Sequence, residues 1–367
     1  MKKNFKSHIQ EMKRYQTSLG RDLEDGCRLD RNEKVSNFSD EVMSDIFNQF
    51  QNYSLSASPE SEPLYEKIAD TLSVNQNQLY VTCGITEGIK VLYETLTEPG
   101  DNVIVLDPTY PIYMVYARLY QLDYRKFQYG TDCKPDLKTL YDNIDDRTRV
   151  VVIPNPNLPI ESIVLAEEMN AIAKKCQEVG AFLVIDEAYY FFGAPTMMDL
   201  VDKYDNVIVF RTFSKAYGLA AIRLGFMVSQ SDNIEYFTNT RSLVESNTLS
   251  MTIARYFLDH PELRDQHVKE VNEGGKYLQE ELTSLGIRWH GGHVTNGILI
   301  FLESKQQADD AVQYMREKKI YIRGAFEEPY HTCIRISLGP KTIMNKFIDE
   351  LKIWQKNQAV NSANVQQ

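Results

Sequence analysis

Six short apolar runs, residues 79–82, 103–106, 150–153, 182–185, 207–210 and 224–228, recur through the middle of the chain, with helical stretches such as 165–179 between some of them. Each run is too short for a helix and lacks the in–out alternation of a half-exposed strand, so it reads as a strand buried on both faces. Strands of this kind alternating with helices require an α/β architecture, a mostly parallel sheet with helices on both sides. Beyond about residue 241 the pattern changes to longer helical stretches and then two strand-like runs, 297–302 and 332–337, which predict a smaller α+β C-terminal domain. The expected organisation is an N-terminal arm contributing to the small domain (1–45), a large ligand-binding domain (46–240), the small domain (241–355) and a polar, frayed tail (356–367).

Open α/β sheets gather ligands beyond the C-terminal ends of their strands, and two segments place reactive groups there. The run Thr212-Phe-Ser-Lys-Ala-Tyr-Gly218 follows a strand and sets Lys215 among hydroxyl residues, with Arg223 eight positions on. A lysine so placed can form an imine with a carbonyl, and Thr212, Ser214 and Arg223 offer donors to a phosphate. An aldehyde carrying a phosphate is pyridoxal 5'-phosphate. The run Phe182-Leu-Val-Ile-Asp-Glu-Ala-Tyr189 ends a strand in acid. A buried Asp186 needs a cationic partner, which a protonated pyridine nitrogen supplies, and Tyr189 is within reach of the same ring's phenolic oxygen. Taken alone, these residues also fit blander roles: Lys215 a solvated surface charge, Asp186 a helix N-cap, Tyr189 a packing aromatic.

Together with four further motifs in order, these segments resemble the fold-type I pyridoxal-phosphate enzymes of the class I/II aminotransferase family, most of all the histidinol-phosphate aminotransferase branch. The other motifs are Leu29-Asp-Arg-Asn-Glu33, Gly84-Ile-Thr-Glu-Gly88, Asp107-Pro-Thr-Tyr-Pro111 and Ile334-Arg-Ile-Ser-Leu-Gly339. The resemblance spans about residues 29–351. It implies a seven-stranded sheet in the large domain, Lys215 as the Schiff-base lysine, Asp186 on the pyridine nitrogen, Tyr189 on the phenolic oxygen and Tyr110 stacked on the ring. Phosphate would be held by Thr212, Ser214, Arg223 and the amides of Ile85 and Thr86 at a helix N-terminus, an anion site on physical grounds as well. Arg335 would grip the substrate α-carboxylate with its planar fork, though the residue also fits a surface ion pair. Arg323 would face a distal substrate phosphate, or serve as a surface charge. Tyr53 corresponds to a tyrosine that crosses to a neighbouring subunit's phosphate, or packs locally.

One departure bears on the chemistry. Where the family has N-P-N-N-P-T-G, this chain reads Asn155-Pro-Asn-Leu-Pro-Ile-Glu161, so the asparagine that contacts the phenolic oxygen falls on Leu158, and Asn157 is only its neighbour among the candidate cofactor-binding residues. The resemblance implies amino-group transfer between an amino acid, or a phosphorylated amine, and a 2-oxo acid. A decarboxylase of the phosphothreonine type, an eliminase or a cyclase on the same fold stays open as an alternative.

Composition accords with such an enzyme. With 367 residues, 43% of them hydrophobic, the chain can bury a full core and make two domains. Its net charge of -11 argues against a nucleic-acid groove. The early basic group Lys2, Lys3, Lys6, Lys13 and Arg14 is interleaved with polar residues and reads as a solvated arm. No run approaches the roughly 20 apolar residues a membrane helix needs, and no histidine or cysteine spacing suggests a metal. Five cysteines without a C-x-x-C pair, and no apolar leader, fit a reducing cytoplasm. The expected assembly is a homodimer.

Overall fold

A computed structural model of the protein describes residues 4–13, 15, 20–22, 24–50, 56–130 and 132–365. Lys2, Lys3, Arg14 and Tyr53 lie outside the described residues. In chain order the strands are β1 (Cys27–Leu29), β2 (Leu79–Thr82), β3 (Asn102–Leu106), β4 (Asp123–Phe127), β5 (Thr148–Pro154), β6 (Phe182–Asp186), β7 (Val207–Thr212), β8 (Gly225–Val228), β9 (Trp289–Gly291), β10 (Gly297–Phe301), β11 (Ile320–Ile322) and β12 (Cys333–Ser337).

Seven of them form one sheet in the order β2-β8-β7-β6-β5-β3-β4. Only β8 runs against its neighbours; β3 to β7 are mutually parallel. The six runs read from sequence are six of these strands. The seventh, β4 (Asp123-Tyr-Arg-Lys-Phe127), is a polar edge strand without an apolar run, and its charges suit an edge that must not pair further. Alternation along the strands divides the core between two faces. Leu183 and Ile185 of β6 pack with Val207 and Val209 of β7 on one side, and Val184 packs with Ile208 and Phe210 on the other. This period of two decides which side each strand-end residue meets.

The smaller part joins an antiparallel sheet β12-β10-β9 to a parallel pair β1-β11, so the N-terminal strand Cys27–Leu29 is built into the C-terminal region. Ile298, Ile300, Ile334 and Ile336 from β10 and β12 pack against Val271 and Leu278 of the long helix Pro261–Ser284 and against Phe347 and Leu351 of the last helix. That last helix runs Lys341–Val365. Residues 356–365, expected to be a frayed tail, therefore continue a helix; their polar composition has no Gly or Pro to stop it.

Candidate active site

The loops after β2, β3, β5, β6 and β7 all leave the sheet at one edge, because β2 is antiparallel to β8, which is in turn antiparallel to β7. Every motif singled out in the large domain lies on those loops, and strand direction is what collects them.

Asp186 ends β6 and is 6% exposed. Its Oδ2 accepts from the Tyr113 hydroxyl at 2.8 Å and its Oδ1 from the Ala188 amide at 3.0 Å. It makes no ion pair among the described residues. Burial pushes its pKa up to about 6, against the opposing pull of the Tyr113 hydroxyl, the Ala188 amide and the Lys215 charge. The next residue behaves differently. Glu187 is buried on the opposite side, where Arg211 donates to its Oε2 through Nη2 at 2.7 Å and Nε at 3.0 Å, and the Arg211 guanidinium lies 4.0 Å from the Tyr190 ring centroid. Two adjacent acids thus divide the work: Glu187 fastens its loop with an internal cation, while Asp186 is left as a buried carboxylate with neutral donors.

Lys215 lies in the turn after β7. Its Nζ donates to the Arg31 carbonyl at 3.4 Å and stands 5.7 Å from the Tyr189 ring centroid. Thr212 shapes this turn, accepting from the Ser214 amide at 3.1 Å and donating to the Leu224 carbonyl at 3.2 Å. His267, from the helix Pro261–Ser284, braces the residue beyond: Nδ1–H donates to the Ala216 carbonyl at 2.7 Å, and burial lowers its pKa to about 4, so the ring is neutral.

The helix Gly84–Leu96 begins two residues after β2, beside Arg223, with Ile85 and Thr86 in its first turn. Gly84 has φ +69°, and a Cβ there would lie 2.9 Å from Arg223 Nη2, so glycine lets the guanidinium approach the free amides of the helix end. Arg223 itself has φ +52° and donates from Nη1 to the Ala220 carbonyl. Thr86 Oγ1 is 3.0 Å from the Tyr110 hydroxyl, and Tyr110 is 42% exposed, a free aromatic face beside the anion-binding end of the helix.

Arg335, on β12, donates from Nη2 to the Asp30 carbonyl at 2.6 Å, while its buried Nε has no partner among the described residues. Burial lowers its pKa to about 10, and the neighbouring Arg323 charge adds to the lowering. The backbones of these arginines pair as an isolated bridge, Arg323↔Arg335. No ion pair of Arg323 occurs among the described residues. Two neighbouring guanidiniums with a spare buried donor have the chemistry to receive an anion.

Asn157 is fully buried. Its Nδ2 donates to the Pro108 carbonyl at 2.9 Å and to the Tyr129 hydroxyl, and its Oδ1 accepts from Thr109. Its amide thus ties the loop after β5 to the loop after β3. Leu158 is buried as well, and a Cβ on Gly297 would lie 3.1 Å from its Cδ1. Glu161, where the resembled pattern has glycine, accepts from the amides of Gly292, His293 and Val294 and from the Thr295 hydroxyl, clasping the large domain's loop to the turn between β9 and β10.

Motif reading did not single out Tyr113 or His267, and it quoted Asn32 and Glu161 inside longer motifs without giving either a role. Tyr113, three residues beyond Tyr110, shows no motif of its own; only the packing of the helix Ile112–Leu119 on the sheet face that carries Val105, Val152 and Val184 delivers its hydroxyl to Asp186. Residues 30–32 lie in the motif Leu29-Asp-Arg-Asn-Glu33, but their contacts with Arg335 and Lys215 come from the pairing of β1 with β11.

The profile of the aminotransferase class I and II family matches residues 29–351. The chain belongs to that family, whose enzymes depend on pyridoxal 5'-phosphate. It is 29% identical over 338 residues to a histidinol-phosphate aminotransferase of Thermotoga sp. (strain RQ2), covering 90% of this chain and 94% of the relative. It is 27% identical over 333 residues to that of Geobacillus sp. (strain WCH70), covering 90% of each. The fold superposes with TM-score 0.87 on histidinol-phosphate aminotransferase from Sinorhizobium meliloti in complex with pyridoxal-5'-phosphate, at 23% identity over 97% of this chain and 98% of that one. It superposes with TM-score 0.75 on L-threonine-O-3-phosphate decarboxylase from Porphyromonas gingivalis, at 19% identity over 89% and 99%. No helix among the described residues is long and apolar enough to cross a membrane, and no group of three or more potential metal ligands occurs among them.

Proposed function

We propose that the protein moves an amino group between an amino acid, or a phosphorylated amine, and a 2-oxo acid, with Lys215 as the amine that holds the cofactor aldehyde. The observation that carries this reading is the buried Asp186 carboxylate, which makes no ion pair among the described residues, at the same strand edge as Lys215. The residues fit the cofactor. Asp186 would meet the pyridine nitrogen, Tyr189 the phenolic oxygen, Tyr110 the ring face, and Ser214, Thr212, Arg223 and the amides of Ile85 and Thr86 the phosphate. Asn157 would support this pocket through the loops it ties. When bound, the cofactor supplies an electron sink for the carbanion formed at the substrate α-carbon.

The chain's own groups then have defined tasks. Lys215, freed from the aldehyde, would take the α-proton and, for amino-group transfer, hand it to the cofactor's aldehyde carbon. Asp186 keeps a positive charge on the ring nitrogen. Arg335 receives the α-carboxylate through its spare Nε and Nη groups and so sets the substrate's orientation. Arg323 extends the cationic surface toward a distal phosphate or carboxylate. We also propose a homodimer in which Tyr53 reaches the partner's phosphate site; the exposed Phe47 and Leu243 suit a surface that is covered in an assembly. A reducing compartment accords with five free cysteines.

The test is the visible spectrum of cofactor-loaded protein as amino acids and phosphorylated amines are added singly. Conversion to the amino form of the cofactor by one compound, reversed by a 2-oxo acid, supports amino-group transfer and identifies the donor. A compound that perturbs the band and releases carbon dioxide supports the decarboxylase reading instead.

A further inference from the structure

Three consecutive residues of the N-terminal segment touch three separate side chains of the site. The Asp30 carbonyl accepts from Arg335, the Arg31 carbonyl accepts from Lys215, and Asn32 Nδ2 donates to the Tyr189 hydroxyl at 2.9 Å. Asn32 is 5% exposed, and its backbone is held in the left-handed region at φ +55°, which asparagine tolerates. It is anchored on both sides: its amide donates to Ser337 Oγ at 2.8 Å, and its carbonyl accepts from Asn296 Nδ2 at 3.0 Å. Because Ser337 Oγ already accepts that amide, its proton is free to reach Asn32 Oδ1, at 3.4 Å. The amide orientation follows, with Oδ1 toward Ser337 and Nδ2 toward Tyr189.

A donor aimed at the Tyr189 oxygen occupies a lone pair and turns the tyrosine's own proton away from Asn32. Leu158 lies next to this amide, for a Cβ on Gly297 would stand 3.1 Å from Leu158 Cδ1 and 3.6 Å from Asn32 Oδ1. The apolar residue that replaces an asparagine of the family pattern and the asparagine from the N-terminal segment therefore meet over one glycine. We propose that Asn32 is a positioning residue: it directs the Tyr189 proton toward the cofactor's phenolic oxygen and offsets, through Tyr189, the amide absent at position 158. This rests on the functional reading above.

The experiment follows the pH midpoint at which the visible band of the loaded protein changes, in wild type, Asn32→Gly, Asn32→Ala, Tyr189→Phe and Asn32→Gly/Tyr189→Phe, with circular dichroism to check folding. Glycine keeps the left-handed backbone without the side chain; alanine carries the test if glycine loosens the segment. Hydrogen bonds to an ionised ring oxygen lower the basicity of its neighbour, so losing the directing amide should raise the midpoint by about half a pH unit, the worth of one modest hydrogen bond. The same change made on top of Tyr189→Phe should add nothing. An unchanged midpoint in a folded, fully loaded Asn32 variant overturns the proposal, as does an equal rise without the tyrosine hydroxyl. A wild-type protein with no cofactor band at all would instead overturn the functional reading, and this inference with it.

Discussion

The Tyr113 hydroxyl donates to Asp186 Oδ2 at 2.8 Å from a position that is itself fully buried. It stabilises the carboxylate without neutralising it, so the charge remains for a ligand while the side chain is prevented from rotating. Tyr113→Phe should leave the fold intact and weaken cofactor affinity by roughly 10- to 150-fold, the worth of about 1.5 to 3 kcal/mol for a hydrogen bond to a charged group. Fluorescence titration with pyridoxal phosphate measures this, and unaltered affinity would remove Tyr113 from the site.

Asp186 also makes the cofactor-free protein pH-sensitive. Its pKa is raised from 3.8 to about 6 by burial. The folded state therefore keeps a proton that the unfolded chain has already released. Its contribution is fully present below about pH 4 and is lost as pH rises through 6, a change of about 3 kcal/mol for two pKa units. Asp186→Asn should flatten this slope in urea denaturation of the cofactor-free protein and should cost several orders of magnitude in turnover. Parallel stability profiles for wild type and variant would contradict the assignment.

Among the described residues the Lys215 side chain makes one long hydrogen bond, to the Arg31 carbonyl, so little of the fold rests on its amine. Lys215→Ala should abolish turnover with an unchanged melting temperature and with cofactor bound non-covalently at most. Persisting turnover would sink the central assignment.

Arg335→Lys should reduce kcat/KM for carboxylate substrates by about 10- to 100-fold, because an ammonium replaces a two-pronged contact with a point charge. Steady-state kinetics with a donor found in the spectral screen decides this; a loss below twofold would mean that the carboxylate binds elsewhere.

Glu161→Ala should destabilise the protein by about 2 to 4 kcal/mol, since the amides of Gly292, His293 and Val294 and the Thr295 hydroxyl lose a common acceptor. Chemical denaturation would show it as a lower midpoint, and an unchanged midpoint would mean that water replaces the carboxylate.

Leu158→Asn restores the asparagine of the family pattern and, if that amide reaches the phenolic oxygen, should lower the pH midpoint of the loaded protein's visible band. A midpoint that does not move would end the electronic account of this departure.

The residues themselves determined the alternation of buried strands and helices, the ending of β6 in Asp186, the lysine in the turn after β7 and the glycine that opens the helix at 84. Each is a local matter: side-chain periodicity, turn chemistry and the bare backbone of glycine can be read within a dozen positions. The polar edge strand β4 was not legible, because an edge carries no apolar run, and the helix continuing to Val365 was hidden by polar composition that neither stops nor announces a helix. Only the tertiary structure decided that Tyr113 serves Asp186, that Glu161 clasps the turn after β9, and that Asp30, Arg31 and Asn32 meet Arg335, Lys215 and Tyr189. Those contacts join residues 73 to 305 positions apart, and sequence pattern has no term for such pairs: they exist because the parallel strands release their loops at one edge and β1 enters the small domain beside β11.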